Sequence, residues 1–324
     1  MEKRTVIVTG IGGNVGQGII RNIRFSKYPV KIIGTNITAL SAGNHLVDGF
    51  YKVPYGYEEG FIPIIIEIVK HEKIDLIIPS TDYEAFFLSY NSKLIPCRIA
   101  SGGINSTKIY LDKYLTAKFH KENNIAFVSS CLPSDFSGQF HPAIAKPRKG
   151  SGSKGILKNY DSKIVLNDDE YIVQKMHNGI EITTAVYVSY LTGDLLGIIT
   201  MERSLQNGAT IYCKVTRKYD KELNMIAQQI TRRTDILGSF NIQSIVTPQG
   251  EICPFEINCR ISGTNSIRSH FGFKDVQYTI DELLYGKKLS RIIIKEGIAF
   301  RYLVDVIYPL ESESGTNPDN FIIF

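Results

Sequence analysis

The sequence predicts an α/β protein that begins with a doubly wound domain, and three observations support this prediction. A β-branched run at residues 5–9 is typical of a buried parallel strand. Strands are predicted again at 30–34 and 74–78, and helical patterns alternate with them up to about residue 105. From residue 106 onward the pattern changes to a strand-rich region with fewer helices.

Length and composition indicate an ordinary globular protein of two or three domains. The chain has 324 residues and a net charge of +5, and no basic tract stands out, so nucleic acid is not indicated as a partner. No apolar run approaches the roughly 18 residues of a membrane span, and the first residues lack a signal-peptide pattern. The five cysteines are scattered without metal-binding spacing, which favours a reducing compartment. We therefore expect a cytoplasmic protein that does not bind membranes.

The glycine-rich turn at residues 10–18 raises the alternative of a dinucleotide site. A fingerprint that starts at Gly10 and Gly12 needs a third glycine where this chain has Val15. The second strand ends at Asn36, where a dehydrogenase has Asp or Glu to hold the ribose. We interpret the segment as a tight turn between a strand and a helix, and keep an NAD-dependent oxidoreductase as an alternative.

The region after residue 105 is predicted to hold three helices and a series of strands. A helix at 107–123 opens it, and a second at 220–235 has an amphipathic spacing. The third, at 275–285, ends at Gly286, as helices often do. Strands are predicted at 143–146, 171–174, 181–190 and 197–201, in a hairpin over 240–258, and at 299–307. The polar stretch at 311–320 is predicted to be exposed.

The hairpin at 240–258 carries the clearest chemical signal. Its turn is Thr-Pro-Gln-Gly, and side chains alternate across each of its strands. If the apolar side chains, with Cys253, Phe255 and Ile257 on the second strand, face one way, the polar ones share the other face. Those polar residues are Gln243, Glu256, Asn258 and Arg260. One carboxylate and two amide oxygens suit Mg²⁺, although the outer face of an ordinary hairpin would look similar.

Two segments upstream of the hairpin carry groups that suit a nucleotide. The strand at 143–146 ends in Lys146 and leads into a Gly/Ser/Lys loop at 150–155, which suits phosphate oxygens. The loop does not fit the Walker A pattern, and an exposed cationic loop would look similar. Further along, Gln174 and Lys175 precede a short linker that ends at Glu181. Such a linker offers backbone groups to an adenine edge, and a carboxylate is the usual partner of ribose hydroxyls.

The order of four motifs resembles that of the ATP-grasp superfamily, especially the carbamoyl phosphate synthetase large subunit and its stand-alone relatives. The motifs are Asp112-Lys113, Lys146 with its loop, Gln174-Lys175 with Gly179-Ile180-Glu181, and Gln243 with Glu256-Ile257-Asn258-Cys259-Arg260. The likeness extends from about residue 4 to about residue 290. It implies a pre-grasp α/β domain at 1–105 and a two-lobed α+β ATP-grasp fold, with a small lobe at 106–180 and a large lobe at 181–324.

The resemblance also implies a role for each matching residue. The phosphate-binding residues would be the lysines Lys113 and Lys146 and a lid that includes Gly150, Ser151, Gly152 and Ser153. The adenine and ribose would contact Gln174, Lys175 and Glu181, and Mg²⁺ or Mn²⁺ would bind Gln243, Glu256 and Asn258. Arg260 matches the arginine beside the reacting phosphate. Three residues depart from the usual family pattern: Gln174 for Glu, Gln243 for Asp and Cys259 for Pro.

The implied function is an ADP-forming ligase that joins a small-molecule carboxylate to an amine through an acylphosphate. Positioning and charge neutralisation by lysine, arginine and Mg²⁺ provide most of such catalysis. The alternatives are a kinase of the same fold and an ATP-binding subunit without turnover, and a homodimer is open. The length fits one grasp unit, so ligation of a small acid is expected rather than synthesis of carbamoyl phosphate.

The acceptor substrate is the part that the sequence determines least. Arg203 and Arg268 lie on segments predicted to border the site and would suit a carboxylate, although surface arginines on loops would look the same. Asp82 and Glu84 would face the crevice of the first domain, unless Ser80 or Asp82 caps the helix that follows. His270 is a candidate general base, but a lone histidine near a helix is more often structural.

Overall fold

A five-stranded parallel sheet forms the first part of the protein. The computed structural model describes residues 3–150, 152, 154–289, 292–310 and 321–323. The strands of this sheet, in the order 3-2-1-4-5, are β1 (Arg4–Val8), β2 (Val30–Asn36), β3 (Gly49–Lys52), β4 (Leu76–Ile78) and β5 (Arg98–Ile99). The helices between them are α1 (Asn14–Arg24), α2 (Phe61–Glu72) and α3 (Asp82–Tyr90). Because the strand order reverses between β1 and β4, their carboxyl ends border a crevice, the usual ligand position in such sheets.

Both faces of the parallel sheet are buried, as its continuous apolar strands predict. On one face Val6 of β1 packs in a cluster with Ile20 of α1. On the other face Ile7 packs in a cluster with Phe61 and Ile65 of α2. The doubly wound α/β fold predicted for the first domain is therefore confirmed.

A smaller antiparallel sheet follows. Its strands, in the order 6-9-7-8, are β6 (Ser130–Cys131), β7 (Ala143–Pro147), β8 (Leu157–Lys158) and β9 (Tyr171–Lys175). Two helices precede it, α4 (Ile104–Leu111) and α5 (Lys113–Glu122). The sequence predicts one helix over 107–123, and this is wrong because the chain turns at Asp112. The Asp112 carboxylate caps α5 by accepting the backbone N–H groups of Tyr114 and Leu115, at 2.9 and 3.3 Å.

A six-stranded antiparallel sheet makes up the rest of the core. Its strands, in the order 14-13-10-11-12-15, are β10 (Ile180–Val188), β11 (Leu195–Gln206), β12 (Ala209–Thr216), β13 (Gly238–Val246), β14 (Ile252–Asn258) and β15 (Gly297–Phe300). The other elements are α6 (Asp220–Arg233), α7 (Asn265–Arg268), α8 (Asp275–Tyr285) and the paired strands β16 (Val306–Ile307) and β17 (Ile322–Ile323). One face of the sheet packs against Leu223 and Ile230 of α6.

The opposite face of the six-stranded sheet is divided into an apolar half and a polar half. Ala185 and Tyr187 of β10 pack in a cluster with Phe273. Glu181 lies on the same face of β10, because side chains alternate, and 28% of its side chain remains exposed. The polar half is therefore accessible to a ligand, while the apolar half packs against the segment that contains Phe273.

The structure agrees with the sequence on helix α8 and differs from it at several strands. Helix α8 ends as predicted at Gly286, whose φ of 60° is left-handed. The strand predicted at 299–307 is interrupted. The strands that were not predicted are β3, β5, β6, β8, β12 and β17. The polar stretch at 311–320 lies outside the described residues. Of the helices that the structure describes, none has both the length and the apolar character that a membrane crossing requires.

Candidate active site

A cavity of about 770 Å³ lies between the parallel sheet and the six-stranded sheet. The parallel sheet contributes the segments that follow β1 and β4, at the crevice created by the strand order. The six-stranded sheet contributes polar side chains of β11, β13 and β14. The charged and amide residues that line the cavity include Asp82, Arg203, Gln243, Glu256, Asn258 and Arg260. Most of the residues predicted to act on phosphate or metal from the large lobe thus border one space.

Strands β13 and β14 bring the three predicted metal ligands together. Gln243 lies opposite Glu256, and Asn241 lies opposite Asn258, so these side chains share one face of the sheet. The Gln243 amide donates to Asn258 Oδ1 at 3.0 Å, and the Asn258 amide donates to Glu256 Oε1 at 3.0 Å. The predicted alternation therefore holds for Gln243, Glu256 and Asn258, and their role toward a metal stays a prediction.

A β-bulge in β14 moves Phe255 to the polar side of the hairpin. The pairing of β13 with β14 shifts after Gln243, and Phe255 is the additional residue. The sequence predicts Phe255 on the apolar face with Cys253 and Ile257, and this is wrong for Phe255. It is also wrong for Cys253, which lies opposite Ile245 on the face of Gln243. Its ring centroid lies 4.5 Å from Lys146 Nζ, so the bulge supplies an aromatic face under the predicted phosphate-binding lysine.

Lys146 is nearly buried, with 8% of its surface exposed. Burial, the largest influence, lowers the pKa of the Lys146 ammonium to about 8, although Glu256 acts in the opposite direction. Lys113 also lowers this pKa, which places the two predicted phosphate lysines close to one another. A polyanion between them would relieve their repulsion.

ATP affinity should therefore fall as pH rises through about 8. A lysine with a lowered pKa is charged below that pKa and neutral above it, so the ammonium that attracts phosphate is lost. Between pH 7 and pH 9 we expect about a tenfold rise in the Kd for ATP, measured by calorimetry. Lys146→Arg should remove this dependence, because arginine stays charged across the range. A wild-type Kd that is the same at both pH values would contradict the assignment of Lys146.

The carboxylate of Glu256 is kept ionised by the groups around it. Burial alone would raise the pKa of Glu256, yet this pKa is lowered, because the opposing influences outweigh burial. Those influences are, in order of size, Lys113, a hydrogen bond from Asn258, Lys146 and Arg260. The Glu256 carboxylate is therefore ionised at neutral pH, with Lys113, Lys146 and Arg260 around it.

The oxygen donors around Glu256 fit Mg²⁺. Hydrogen bonds among the described residues engage only one of the two Glu256 oxygens. The amide oxygens of Gln243 and Asn258 already accept hydrogen bonds, so they would join a metal only after these bonds rearrange. No group of three or more His, Cys, Asp or Glu in the described part of the chain could hold a metal, as expected for one carboxylate with two amides. Glu256 would be the main ligand, with substrate phosphates completing the shell.

Lys113, the first residue of α5, forms a hydrogen bond with the glycine-rich loop after β7. Lys113 Nζ donates to the carbonyl oxygen of Gly150 at 3.1 Å, and the Lys113 backbone N–H donates to the backbone carbonyl oxygen of Arg148 at 2.9 Å. Arg148 also forms a bidentate ion pair with the buried Asp112, at 2.7 Å for the shortest contact. Gly152 lines the cavity. The predicted lid residues Ser151 and Ser153 lie outside the described residues.

Arg203 joins the predicted ribose acid to the predicted metal site. Its guanidinium donates to Glu181 Oε1 at 2.6 Å and to Gln243 Oε1 at 2.6 Å. The sequence predicts that Arg203 binds the carboxylate of a substrate. The structure places Arg203 in the cavity wall with both of these partners, so a substrate carboxylate would compete with Glu181 for the same guanidinium.

Gln174, the predicted adenine-binding residue, is fully buried in β9. Its amide nitrogen donates to Ser130 Oγ at 3.3 Å, while its Oε1 has no hydrogen-bond partner among the described residues. A buried oxygen without a donor is unfavourable, and an amino group such as that of adenine would satisfy it. The backbone N–H of Lys175 is already used, because it donates to Ser129 at 2.8 Å.

Arg260 connects the hairpin to the first domain. Its guanidinium donates to Asp82 Oδ2 at 2.9 and 3.2 Å, across the cavity from the six-stranded sheet to α3. Asp82 therefore faces the cavity. The prediction that Ser80 or Asp82 caps α3 is wrong, because Thr81 Oγ1 accepts the backbone N–H of the third helical residue at 3.2 Å.

The structure does not bring Arg268 into the cavity. Arg268 is 0% exposed and forms an ion pair with Asp275, which is also fully buried. Its other donors go to Ser262 Oγ at 2.6 Å and Thr264 Oγ1 at 2.9 Å. The prediction that Arg268 binds a substrate carboxylate is therefore wrong, because the Arg268 guanidinium is buried in the core and paired with Asp275.

Removing Arg268 should lower stability rather than substrate binding. Arg268→Ala leaves Asp275 buried without its cation, which costs about 3–5 kcal/mol in urea unfolding. A double variant, Arg268→Met with Asp275→Leu, should recover most of that loss, because it removes both charges. An Arg268→Ala variant of unchanged stability that lost affinity for its acid substrate would support the original prediction instead.

The glycine-rich turn after β1 borders the cavity, and His270 does not. Gly10 has a φ of +57°, and a Cβ there would lie 2.3 Å from Ser80 Oγ, so the turn needs glycine at this position. Asn36 also lines the cavity and presents an amide where an NAD site would present a carboxylate. His270 is exposed in the short segment after α7 and is absent from the cavity lining.

Asn241 is a polar residue of the cavity to which the sequence assigned no role. Asn241 is buried in β13, and its Oδ1 accepts from Thr183 Oγ1 at 2.8 Å and from Ser262 Oγ at 3.2 Å. With its oxygen fixed by these two donors, the Asn241 amide nitrogen is left for the cavity that the residue lines. The alternation along the strand predicts that Asn241 shares a face with Gln243, and the observed register agrees, but alternation alone gives no role to the amide.

The middle of the chain matches a known family. Residues 110–264 match the family model described as an ATP-grasp domain. A search of curated proteins found no match. The family match contains the strand that bears Lys146, the linker and the whole hairpin.

Solved structures similar to this chain cover most of its length. An N5-carboxyaminoimidazole synthetase from Staphylococcus aureus shares 16% identity, over 91% of this chain and 81% of that chain, with a TM-score of 0.72. The biotin carboxylase domain of a Hydrogenobacter thermophilus 2-oxoglutarate carboxylase, solved with MgADP and bicarbonate, shares 13% identity, over 95% of this chain and 76% of that chain, with a TM-score of 0.74. At such identities the similarity establishes the fold, and the substrates of those proteins remain theirs.

Proposed function

Because residues 110–264 match the family model of an ATP-grasp domain, we propose that the protein is an ADP-forming ligase that joins a carboxylate to an amine. The observation that carries the proposal is the set of cations around the single carboxylate of Glu256, namely Lys113, Lys146 and Arg260. Cations around one metal-binding carboxylate suit transfer of a phosphoryl group, for which positioning and charge neutralisation provide most of the rate. The adjoining cavity has room for a second substrate.

In the proposed reaction, a carboxylate oxygen of the acceptor attacks the γ-phosphorus of ATP, and the bond to the β-phosphate oxygen breaks to release ADP. The amine then attacks the carbonyl carbon of the acylphosphate, phosphate leaves, and the nitrogen loses a proton. Lys113 and Lys146 would neutralise the phosphate oxygens, and Arg260 would orient the transferred group. Mg²⁺, when bound at Glu256, supplies further neutralisation of phosphate charge.

We propose that each of the three predicted domains contributes a different part of the active site. We assign 106–180 to the small lobe, 181–324 to the large lobe and 1–105 to the pre-grasp domain. All four strands of the small sheet fall within the first of these ranges, which supports the limit at 180. The pre-grasp domain would contribute Asp82 and the glycine turn to the acceptor side of the cavity.

Trapping with hydroxylamine tests the proposal without knowledge of the amine. Hydroxylamine intercepts an acylphosphate as a hydroxamate, which ferric iron reveals by its colour. Incubation with Mg-ATP and a pool of carboxylic acids should give ADP and hydroxamate in equal amounts. If the same incubation gave ADP but no hydroxamate, the phosphoryl group would have been transferred to a group other than a carboxylate. That result would indicate a kinase and would contradict the ligase proposal.

A further inference from the structure

Four apolar side chains are exposed in the wall of the cavity beside the reaction centre. Tyr55 and Tyr57 are 46% and 50% exposed, and Ile37 and Leu205 are 38% and 37% exposed. All four line the same cavity. Exposed apolar side chains gathered in one concave site are typical of a ligand-binding wall. The proposed phosphoryl transfer uses none of them.

Three tyrosine rings lie in contact with one another in the cavity wall. The rings of Tyr55 and Tyr57 are stacked, with centroids 5.3 Å apart and planes 9° apart. Tyr83, which also lines the cavity, meets Tyr57 edge-on at 5.0 Å. We refer to Tyr55, Tyr57 and Tyr83 as the tyrosine platform. A planar ring would extend such a stack, since offset and edge-to-face contacts are the favoured geometries of aromatic pairs.

The charges of the cavity argue against a cationic ligand on the tyrosine platform. Asp82 is paired with Arg260, and one oxygen of the buried Glu84 accepts from Thr9 and Thr81 at 2.7 to 3.1 Å. An ammonium group over the tyrosine rings would therefore find these carboxylates already engaged.

The polar residues of the cavity suit a carboxylic acid. Two hydroxyl groups hold the Asn241 amide oxygen, which fixes the orientation of the amide group. The amide nitrogen donates to none of the described residues. It lines the cavity with Glu256 and Arg260. A donor of this kind beside the phosphoryl-transfer residues would hold one oxygen of a carboxylate while the other reacts.

We propose that the acceptor is a carboxylic acid that carries a planar aromatic ring, and that this ring stacks on the tyrosine platform. The inference rests on the proposed function for the identity of the reacting group. The binding of a ring by the tyrosine platform does not depend on that function, because a ring can bind in the cavity whether or not a ligase reaction follows.

Ligand fluorescence offers a direct test, because the chain contains no tryptophan. Indole-3-propionate would be the main emitter on excitation at long wavelength, and its anisotropy would report binding in the presence of Mg²⁺ and a non-hydrolysable ATP analogue. Competition would then compare 3-phenylpropionate with 3-cyclohexylpropionate, and benzoate with cyclohexanecarboxylate. Each aromatic acid should compete about threefold to tenfold better than its saturated counterpart.

Substitutions of single tyrosines test whether the preference for aromatic acids comes from the tyrosine platform. Tyr57→Leu keeps an apolar side chain but removes the ring, and should weaken the aromatic acids about threefold to tenfold while leaving the saturated acids unchanged. Tyr57→Phe should retain wild-type affinity. Tyr90→Leu changes another tyrosine of the same domain that is 62% exposed and outside the cavity, and should have no effect.

Two results would overturn the inference. The first is that neither aromatic acid binds more tightly than its saturated counterpart, and the second is that Tyr57→Leu leaves that preference intact. Preference for an aliphatic diamine over every acid would also overturn it, in favour of a cationic ligand. The Mg-dependent rise in Tm with ATP is measured separately. If that rise is absent, the proposed function fails, whereas loss of the aromatic preference alone leaves the ligase proposal standing.

Discussion

Replacing Glu256 with glutamine should abolish ADP formation, with a loss of at least about a thousandfold in kcat. The change removes the one carboxylate among the three oxygen donors of the hairpin. The fold should survive, because a glutamine oxygen at this position still accepts the hydrogen bond from Asn258. A coupled assay of ADP at saturating Mg-ATP, together with the Tm of the variant, measures both effects.

A matched control lies on the turn of the same hairpin. Glu251→Gln removes one negative charge at an exposed position, and should leave ADP formation and Tm unchanged. If Glu256→Gln and Glu251→Gln were equally active, Glu256 would not be the residue that holds the metal. The hairpin would then be an ordinary polar surface.

Replacing Lys146 with alanine should raise the Kd for ATP by about 10- to 100-fold, because the variant loses a charge-assisted contact to phosphate. The ammonium is nearly buried over the ring of Phe255, so no neighbouring lysine of the loop can take its place without moving. Calorimetric titration with the non-hydrolysable analogue measures the affinity free of turnover.

Lys158→Ala provides the comparison for Lys146→Ala. Lys158 lies on the next strand of the same small sheet and is exposed. Its removal changes the net charge by the same amount and should leave the Kd within about twofold of the wild type. Similar losses in both variants would mean that general attraction to a basic surface, rather than a defined phosphate site, explains ATP binding.

Local patterns in the sequence were enough to predict the groups that lie on one strand pair. The alternation of side chains placed Gln243, Glu256 and Asn258 on one face, and the observed register agrees. The resemblance to the ATP-grasp superfamily is confirmed by the family match over 110–264. Alternation gave the wrong face for Phe255 and Cys253, since a bulge adds a residue that the composition of the strand does not reveal.

Contacts between distant parts of the chain were beyond the sequence. The pair between Arg260 and Asp82 joins residues 178 positions apart, so neither residue carries a local sign of the other. Arg268 looked like a substrate arginine because it follows the hairpin, yet the packing of α8 supplies Asp275 and buries the pair. The tyrosine platform likewise depends on how the loop after β3 meets α3, which only the tertiary structure reveals.

The measurement that tests the central claim most directly is ATP turnover with Mg²⁺ across a panel of carboxylic acids, with and without a pool of amines. ADP and free phosphate are both read. The ligase account predicts sustained release of ADP and phosphate in equal amounts only when an acid and an amine are both present. ADP without free phosphate would point to a kinase, and no response to ATP, in turnover or in Tm, would contradict the account of Glu256 and its surrounding cations.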